Sequence, residues 1–235
     1  MASPLAPYKH SFLHTCLTSS ILCFGAFTLK SGRTSPYFFN AGAFHTSSLL
    51  SSLATAYAQA ILTNLLPTAA DPLPFDVIFG PAYKGIPLAA IAALKLGELD
   101  PRAAGIGYCF NRKEAKDHGE GGLIVGMDLK GKRVLIVDDV ITAGTAIRES
   151  VALIRKLGGV VVGIVVALDR METVVGGEEK GKSAIAEVKG EVGCGVWSIL
   201  SLEDLVEGED GDGLVGEEQR RRMREYRERY GAREV

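Results

Sequence analysis

Apolar and polar positions along the chain switch between a helical and a two-residue period, and the switches lay out an order of helices and strands. Tyr8 to Ser20 predicts a short helix. Ile21 to Leu29 and Tyr37 to Asn40 predict the strands of a hairpin, closed by Lys30 to Pro36 with its Gly and Pro. Leu49 to Leu66 is an Ala/Leu run with Ser and Thr near its start, which predicts a long helix ending at Pro67, with a loop over 67–74. Four apolar runs then predict strands: Asp76 to Phe79, Ala103 to Phe110, Arg133 to Val137 and Val160 to Leu168. Helices are predicted after the first, from Pro87 to about Leu96, and between the last two, from Thr145 to Leu157. Strands this uniformly apolar are buried on both faces, so an α/β fold with a mostly parallel central sheet flanked by helices follows.

The polar segments fill in the rest. Asn111 to Gly122 is charged, glycine-rich and without periodicity, and reads as a mobile loop; Gly176 to Lys182 reads as a surface insertion. Glu217 to Arg233 predicts a helix so charged that it reads as a solvated face.

Composition narrows the class without choosing a function. A chain of 235 residues with 47% hydrophobic and 23% charged side chains is an ordinary soluble globular protein, neither disordered nor fibrous. Glycine stands out at 28 of 235, about 12% against a usual ~7%, which points to tight turns and close backbone approaches. Lys and Arg total 26 against 28 Asp and Glu, a net charge of −2, so no global charge draws the chain to nucleic acid or to a membrane, and any phosphate site must be local. The four cysteines form no C-x-x-C pair, which fits a reducing, cytoplasmic setting better than a disulfide framework or a zinc site. The apolar stretch after Lys9 is too short and too broken by Ser and Thr to read as a signal peptide.

The strongest chemical signal is Val134 to Ala146: an apolar strand ending in adjacent acids, Asp138 and Asp139, then a Thr/Gly loop that opens a helix. Ligands of open α/β sheets bind at the carboxyl ends of strands, and a helix N-terminus presents free N–H groups to phosphate. Two acids repel a bare phosphate, but they suit sugar hydroxyls and a cation, so a phosphorylated sugar with Mg²⁺ accounts for both features. Neither the GxxxxGK[ST] loop nor GxGxxG after a strand occurs. Acids in such a place can also simply end a strand and cap a helix.

With the diacid loop stand four further segments: Phe27 to Asn40, Gly80 to Gly85, Arg112 to Gly122 and Asp169 to Glu172. In this combination and order the chain resembles the type I phosphoribosyltransferases, and among them the orotate phosphoribosyltransferases. The resemblance implies the fold of that family as a single domain over 1–235, with a small N-terminal hood (1–45), a core carrying the loop for 5-phosphoribosyl 1-diphosphate (PRPP) (75–170) and a charged C-terminal helix (207–235). It also implies transfer of the phosphoribosyl group from PRPP to orotate in pyrimidine synthesis, and a homodimer with shared active sites.

The implied roles are specific. Asp138 and Asp139 would hold the ribose hydroxyls and stabilise positive charge on the ring, while Val140, Ile141, Thr142, Ala143, Gly144, Thr145 and Ala146 would cradle the 5-phosphate. Tyr83 and Lys84 match the loop that meets the diphosphate. Arg112, Lys113, Lys116 and His118 match the mobile catalytic loop, with Lys116 and His118 acting in catalysis. Arg170 would pair with the orotate carboxylate, Lys30 would serve both substrates, and Phe38, Phe39 and Thr142 would line the pyrimidine pocket. Adjacent strand residues face opposite ways, so one of Phe38 and Phe39 should pack inward. A phosphoribosyltransferase for another base would not need Arg170, and a PRPP-sensing regulator would not need the Lys/His loop.

Overall fold

The computed structural model describes residues 4–66, 68, 72–116, 122–174, 181–208 and 213–232. Helix α1 (Pro7–Thr18) leads into an antiparallel hairpin of β1 (Leu22–Thr28) and β2 (Thr34–Phe39), and helix α2 (Ser47–Leu65) follows, capped by the Thr46 hydroxyl. Then come β3 (Val77–Gly80), α3 (Gly85–Leu99), β4 (Gly107–Lys116), β5 (Gly122–Gly126), β6 (Arg133–Val140), α4 (Thr145–Lys156), β7 (Val160–Asp169), α5 (Ala184–Val192), β8 (Gly195–Ser201), α6 (Leu202–Glu207) and α7 (Glu217–Tyr230).

The hairpin stands apart as its own small sheet, and the other strands form one six-stranded sheet in the order β5-β4-β3-β6-β7-β8. All neighbours are parallel except β5, which runs antiparallel on the edge beside β4. Alternation along each strand divides the core in two. Leu135, Val137, Val165 and Ala167 pack with α2 and α3, while Val134, Ile136, Ile164 and Val166 pack with α4 and α5. The mostly parallel, doubly covered sheet expected from the apolar runs is therefore present. Chain order reverses at β3, whose connection through α3 leads to β4 on one side while β6 lies on the other, so a crevice opens at their carboxyl ends.

Three expectations change. Residues Pro101–Gly105 form a 3-10 turn and the strand begins only at Gly107. That strand continues through the charged residues Asn111 to Lys116, which were expected to be loop, because β5 supplies a ladder partner and an edge hairpin can carry polar side chains on both faces. The segment 207–235 is not a wholly solvated helix. Glu207 ends α6, and α7 buries Met223 and Tyr226, with Arg220 part-buried beside them and donating to the Leu205 and Val206 carbonyls. The apolar set of α7 is simply sparse. His118 and most of the Gly176 to Lys182 insertion lie outside the described residues.

Candidate active site

Strand β6 runs three residues past its apolar run, to Val140, so Asp138 and Asp139 lie within it near its carboxyl end and are both buried, each 8% exposed. Successive positions point to opposite faces, and the pair is therefore split between the two layers. On the α3 side, Lys84 reaches Asp139 Oδ2 with its ammonium nitrogen at 2.5 Å, although the lysine itself is largely exposed. Each acid also accepts a backbone N–H at 2.9 Å, Asp138 Oδ1 from Asp139 and Asp139 Oδ1 from Val140. These bonds fix the carboxylates but leave acceptor capacity on both. Burial, with the Asp139 charge second, pushes the Asp138 carboxyl up to about 6.

The loop beyond the acids is shaped by glycine. Gly144 has φ +75° and precedes α4 with no side-chain cap, so the first-turn N–H groups of α4 are not closed off by a capping oxygen. A Cβ there would lie 2.9 Å from both Arg148 and Val188. Arg148 donates to the Ala143 carbonyl at 2.6 Å and pairs with Glu187 and Glu191 of α5, which braces the loop from below. Thr142, Ala143, Thr145 and Ala146 are exposed around the helix end, while Ile141 and Gly144 are buried and Val140 is half-buried.

Across the crevice, the turn after β3 is equally constrained. A Cβ on Gly80 would sit 2.0 Å from the Gly85 carbonyl oxygen, so only glycine lets α3 start this close to the strand. The Ala82–Tyr83 peptide is cis, and Ala82 N–H donates to Asn111 Oδ1 at 2.9 Å. Lys113 places its ammonium 4.8 Å from the Tyr83 ring centre. The diphosphate-loop and β4 residues expected to act together thus meet. Arg112 lies half-buried on the same strand, and Lys116 is placed by its backbone at the end of β4, paired with Gly122.

Arg170 follows directly on β7, next to β6. Its Nε donates to Glu172 Oε1 at 2.7 Å, its Nη2 to Ser35 Oγ at 3.0 Å, and its guanidinium lies 4.4 Å over the Tyr37 ring. Ser35 and Tyr37 belong to β2, so the hairpin is docked on the strand end through this arginine. Of the adjacent phenylalanines, Phe39 turns toward the core near Phe44 and Phe38 is exposed beside Phe27, as the alternation requires. Lys30 is exposed at the hairpin turn.

Four residues with clear structural parts are given no role by the sequence: Tyr57, whose hydroxyl bonds the Asp138 carbonyl, and Asn111, Ser35 and Glu172.

Residues 49–190 match the phosphoribosyl transferase domain family. The chain is 53% identical to the orotate phosphoribosyltransferase of Neurospora crassa, over 97% of this chain and 98% of that one. It is 51% identical to that of Stenotrophomonas maltophilia, over 98% of this chain and 100% of the relative. A crystal structure of the Francisella tularensis orotate phosphoribosyltransferase shares the fold with a TM-score of 0.78 and 36% identity, over 94% of this chain and 99% of that chain. The chain belongs to the orotate phosphoribosyltransferase family. The general domain match includes the diacid loop, Lys84 and Arg170, but the hairpin with Lys30, Phe38 and Phe39 and the helix α7 lie outside it. Those outer elements fall within the stretch shared with the orotate phosphoribosyltransferases.

Proposed function

We propose that the protein transfers the phosphoribosyl group of PRPP to orotate, giving orotidine 5-monophosphate and diphosphate, as a step of pyrimidine synthesis. The observation that carries this is the pairing of Asp139 with Lys84 across the mouth of the crevice, next to the open first turn of α4. Acids for a sugar, a cation for a diphosphate and N–H groups for a phosphate stand side by side, and Arg170 lies at the next strand end.

In the reaction the bond from the anomeric carbon to diphosphate breaks, the electron pair leaves with diphosphate, and a ring nitrogen of orotate forms the new bond from the opposite face. Positive charge grows on the ribose while negative charge grows on the departing group. Asp138 and Asp139 hold the 2- and 3-hydroxyls and stabilise the ribose charge. Lys84 exchanges Asp139 for the diphosphate, aided by Tyr83, Arg112 and Lys113, with Lys116 and His118 completing the contacts. The amides and hydroxyls from Val140 to Ala146 hold the 5-phosphate, and Arg170, Lys30, Thr142, Phe38 and Phe39 hold the orotate. The attacking ring nitrogen gives up its N–H proton as the new bond forms, and that proton passes to water or to the departing diphosphate, so the step balances without a dedicated protein base.

The donor set fits Mg²⁺ carried in by the substrate. No group of three or more His, Cys, Asp or Glu among the described residues could cage a metal ion, while two carboxylates beside a diphosphate site suit a hard cation held mainly by phosphate oxygens and water. Such an ion supplies charge neutralisation on the leaving diphosphate. Asp138 and Asp139 are the residues that would face it.

We further propose a homodimer in which the β4–β5 arm brings Lys116 and His118 to the neighbouring subunit's site. The arm's position at the sheet edge supports this. A cytoplasmic location is supported by four cysteines that are all free thiols. Among the described residues no helix is long and apolar enough to cross a membrane. Incubation with orotate, PRPP and Mg²⁺, followed by loss of orotate ultraviolet absorbance and release of diphosphate, tests the activity. Turnover of uracil or a purine in place of orotate would overturn the assignment.

A further inference from the structure

The helix α7, which its sequence marks only as charged, ends against the arginine that the proposed reaction uses for orotate. Residues 230–232 run antiparallel to Met171–Thr173: the Tyr230 carbonyl accepts from Thr173 N–H at 3.0 Å, and Ala232 N–H donates to the Met171 carbonyl at 2.9 Å. Glu172 is bridged to Gly231 in that same pairing. Above it, the Tyr230 ring lies 4.9 Å beneath the Arg33 guanidinium. Arg33 in turn bonds Thr173 through its carbonyl at 2.9 Å and its hydroxyl at 3.1 Å, and approaches Glu172 to 3.6 Å. Glu172 therefore sits between two arginines, Arg33 on one side and Arg170 on the other, and all three side chains are at most 15% exposed.

Two features indicate that this arrangement is held for a purpose other than stability. Met171, between the arginine and the glutamate, has φ +52°, a left-handed conformation that costs a side-chain-bearing residue on the order of 1 kcal/mol and persists only where surroundings enforce it. Tyr37, the ring under Arg170, has a buried hydroxyl without a hydrogen-bond partner among the described residues. The hydrogen bonds of Arg170 to Glu172 and Ser35 use Nε and Nη2, and a guanidinium carries further N–H donors.

We propose that α7 is a positioning strap for Arg170: Tyr230 fixes Arg33 and the Met171–Thr173 backbone, these fix Glu172, and Glu172 aims the Arg170 guanidinium at the carboxylate of the pyrimidine. Tyr230, Arg33 and Glu172 are positioning residues, and selectivity for a carboxylate-bearing base depends on them. This inference rests on the assignment of Arg170 to the orotate carboxylate.

The test compares Tyr230→Ala, Tyr230→Phe and Arg170→Ala in the full chain, with KM for each substrate and the thermal midpoint measured. Tyr230→Ala should raise KM for orotate about three- to tenfold, the scale of a lost cation–π contact at a partly buried site, while KM for PRPP stays within about twofold. Tyr230→Phe keeps the aromatic face and should restore the orotate value. Where Tyr230→Ala folds poorly, Tyr230→Leu keeps the packing against Tyr226 without the aromatic face and is read in the same way. Equal shifts in both KM values, or an unchanged orotate KM when Arg170→Ala raises it, would overturn the strap alone. An unchanged orotate KM in Arg170→Ala would overturn the Arg170 assignment and the strap together.

Discussion

Tyr57 donates its hydroxyl to the backbone carbonyl of Asp138 at 2.8 Å, from the middle of α2 to the end of β6. The tyrosine is fully buried, and burial, with the charges of Asp139 and Asp138 next, raises its phenol well above the ordinary value, so it stays a neutral donor. The bond ties the layer above the sheet to the residue proposed to hold the ribose.

Tyr57→Phe should accordingly cost about 1 kcal/mol of stability, the usual net worth of a buried hydrogen bond, and raise KM for PRPP more than KM for orotate. Urea denaturation and steady-state kinetics read the two effects. A stable variant with equal changes in both KM values would separate Tyr57 from the diacid.

Asp138→Asn should stabilise the protein at neutral pH and depress activity. The folded-state carboxyl titrates near 6 because burial disfavours its charge, above its ordinary value of 3.8. Native Asp138 thus holds its proton more tightly than the unfolded chain does, and the stability this gives is fully present below about 3.8 and is lost as pH rises through about 6. Above that range the variant should gain on the order of 1–3 kcal/mol, and the gain should vanish toward pH 4. In the unmodified enzyme kcat/KM should fall below about pH 6 as the carboxylate is lost. Thermal melts of both proteins across this range check the sign; a variant less stable at pH 7 would show the buried charge to be well compensated.

Arg170→Ala should raise KM for orotate about tenfold or more, the value of a charge-assisted bond of ~1.5–3 kcal/mol, with little effect on PRPP. It should also destabilise the hairpin, because Ser35 and Glu172 lose a shared partner. Limited proteolysis near Lys30, compared with the unmodified protein, reads that second effect.

Lys116→Ala should lower turnover while PRPP binding is largely retained, as expected for a contact completed only when the arm closes. If the arm serves the neighbouring subunit, Lys116→Ala and Arg170→Ala chains refolded together should regain activity. One site of each mixed dimer then carries both substitutions and the other neither, so random pairing leaves about a quarter of all sites intact. No recovery in mixed dimers shown to have formed would place the arm on its own subunit.

Exhaustive chelation should abolish turnover, and Mg²⁺ should restore it, because PRPP brings several negative charges to a crevice that already holds Asp138 and Asp139. Full activity after chelation would mean that Lys84 and its neighbours neutralise the diphosphate unaided.

The diacid loop was legible in the sequence because its meaning is local: an apolar strand, two acids and a glycine-bearing helix start follow one another within thirteen residues, Val134 to Ala146, and the chain itself brings them together. The same holds for the parallel sheet, whose strands declare their burial on both faces, and for the opposite turns of Phe38 and Phe39, which the pleat dictates. Only the tertiary structure could decide the rest. Asn111 to Lys116 is too polar to announce a strand, and becomes one because an edge partner satisfies its backbone. The buried side of α7 amounts to Met223 and Tyr226 amid arginines, and its burial depends on the surface presented by β2 and α6. Tyr57 and Asp138, or Arg33 and Glu172, are 81 and 139 positions apart, and no periodicity connects them. A sequence specifies contacts between near neighbours through the geometry of helix and strand, whereas contacts between distant residues exist only once the layers have packed.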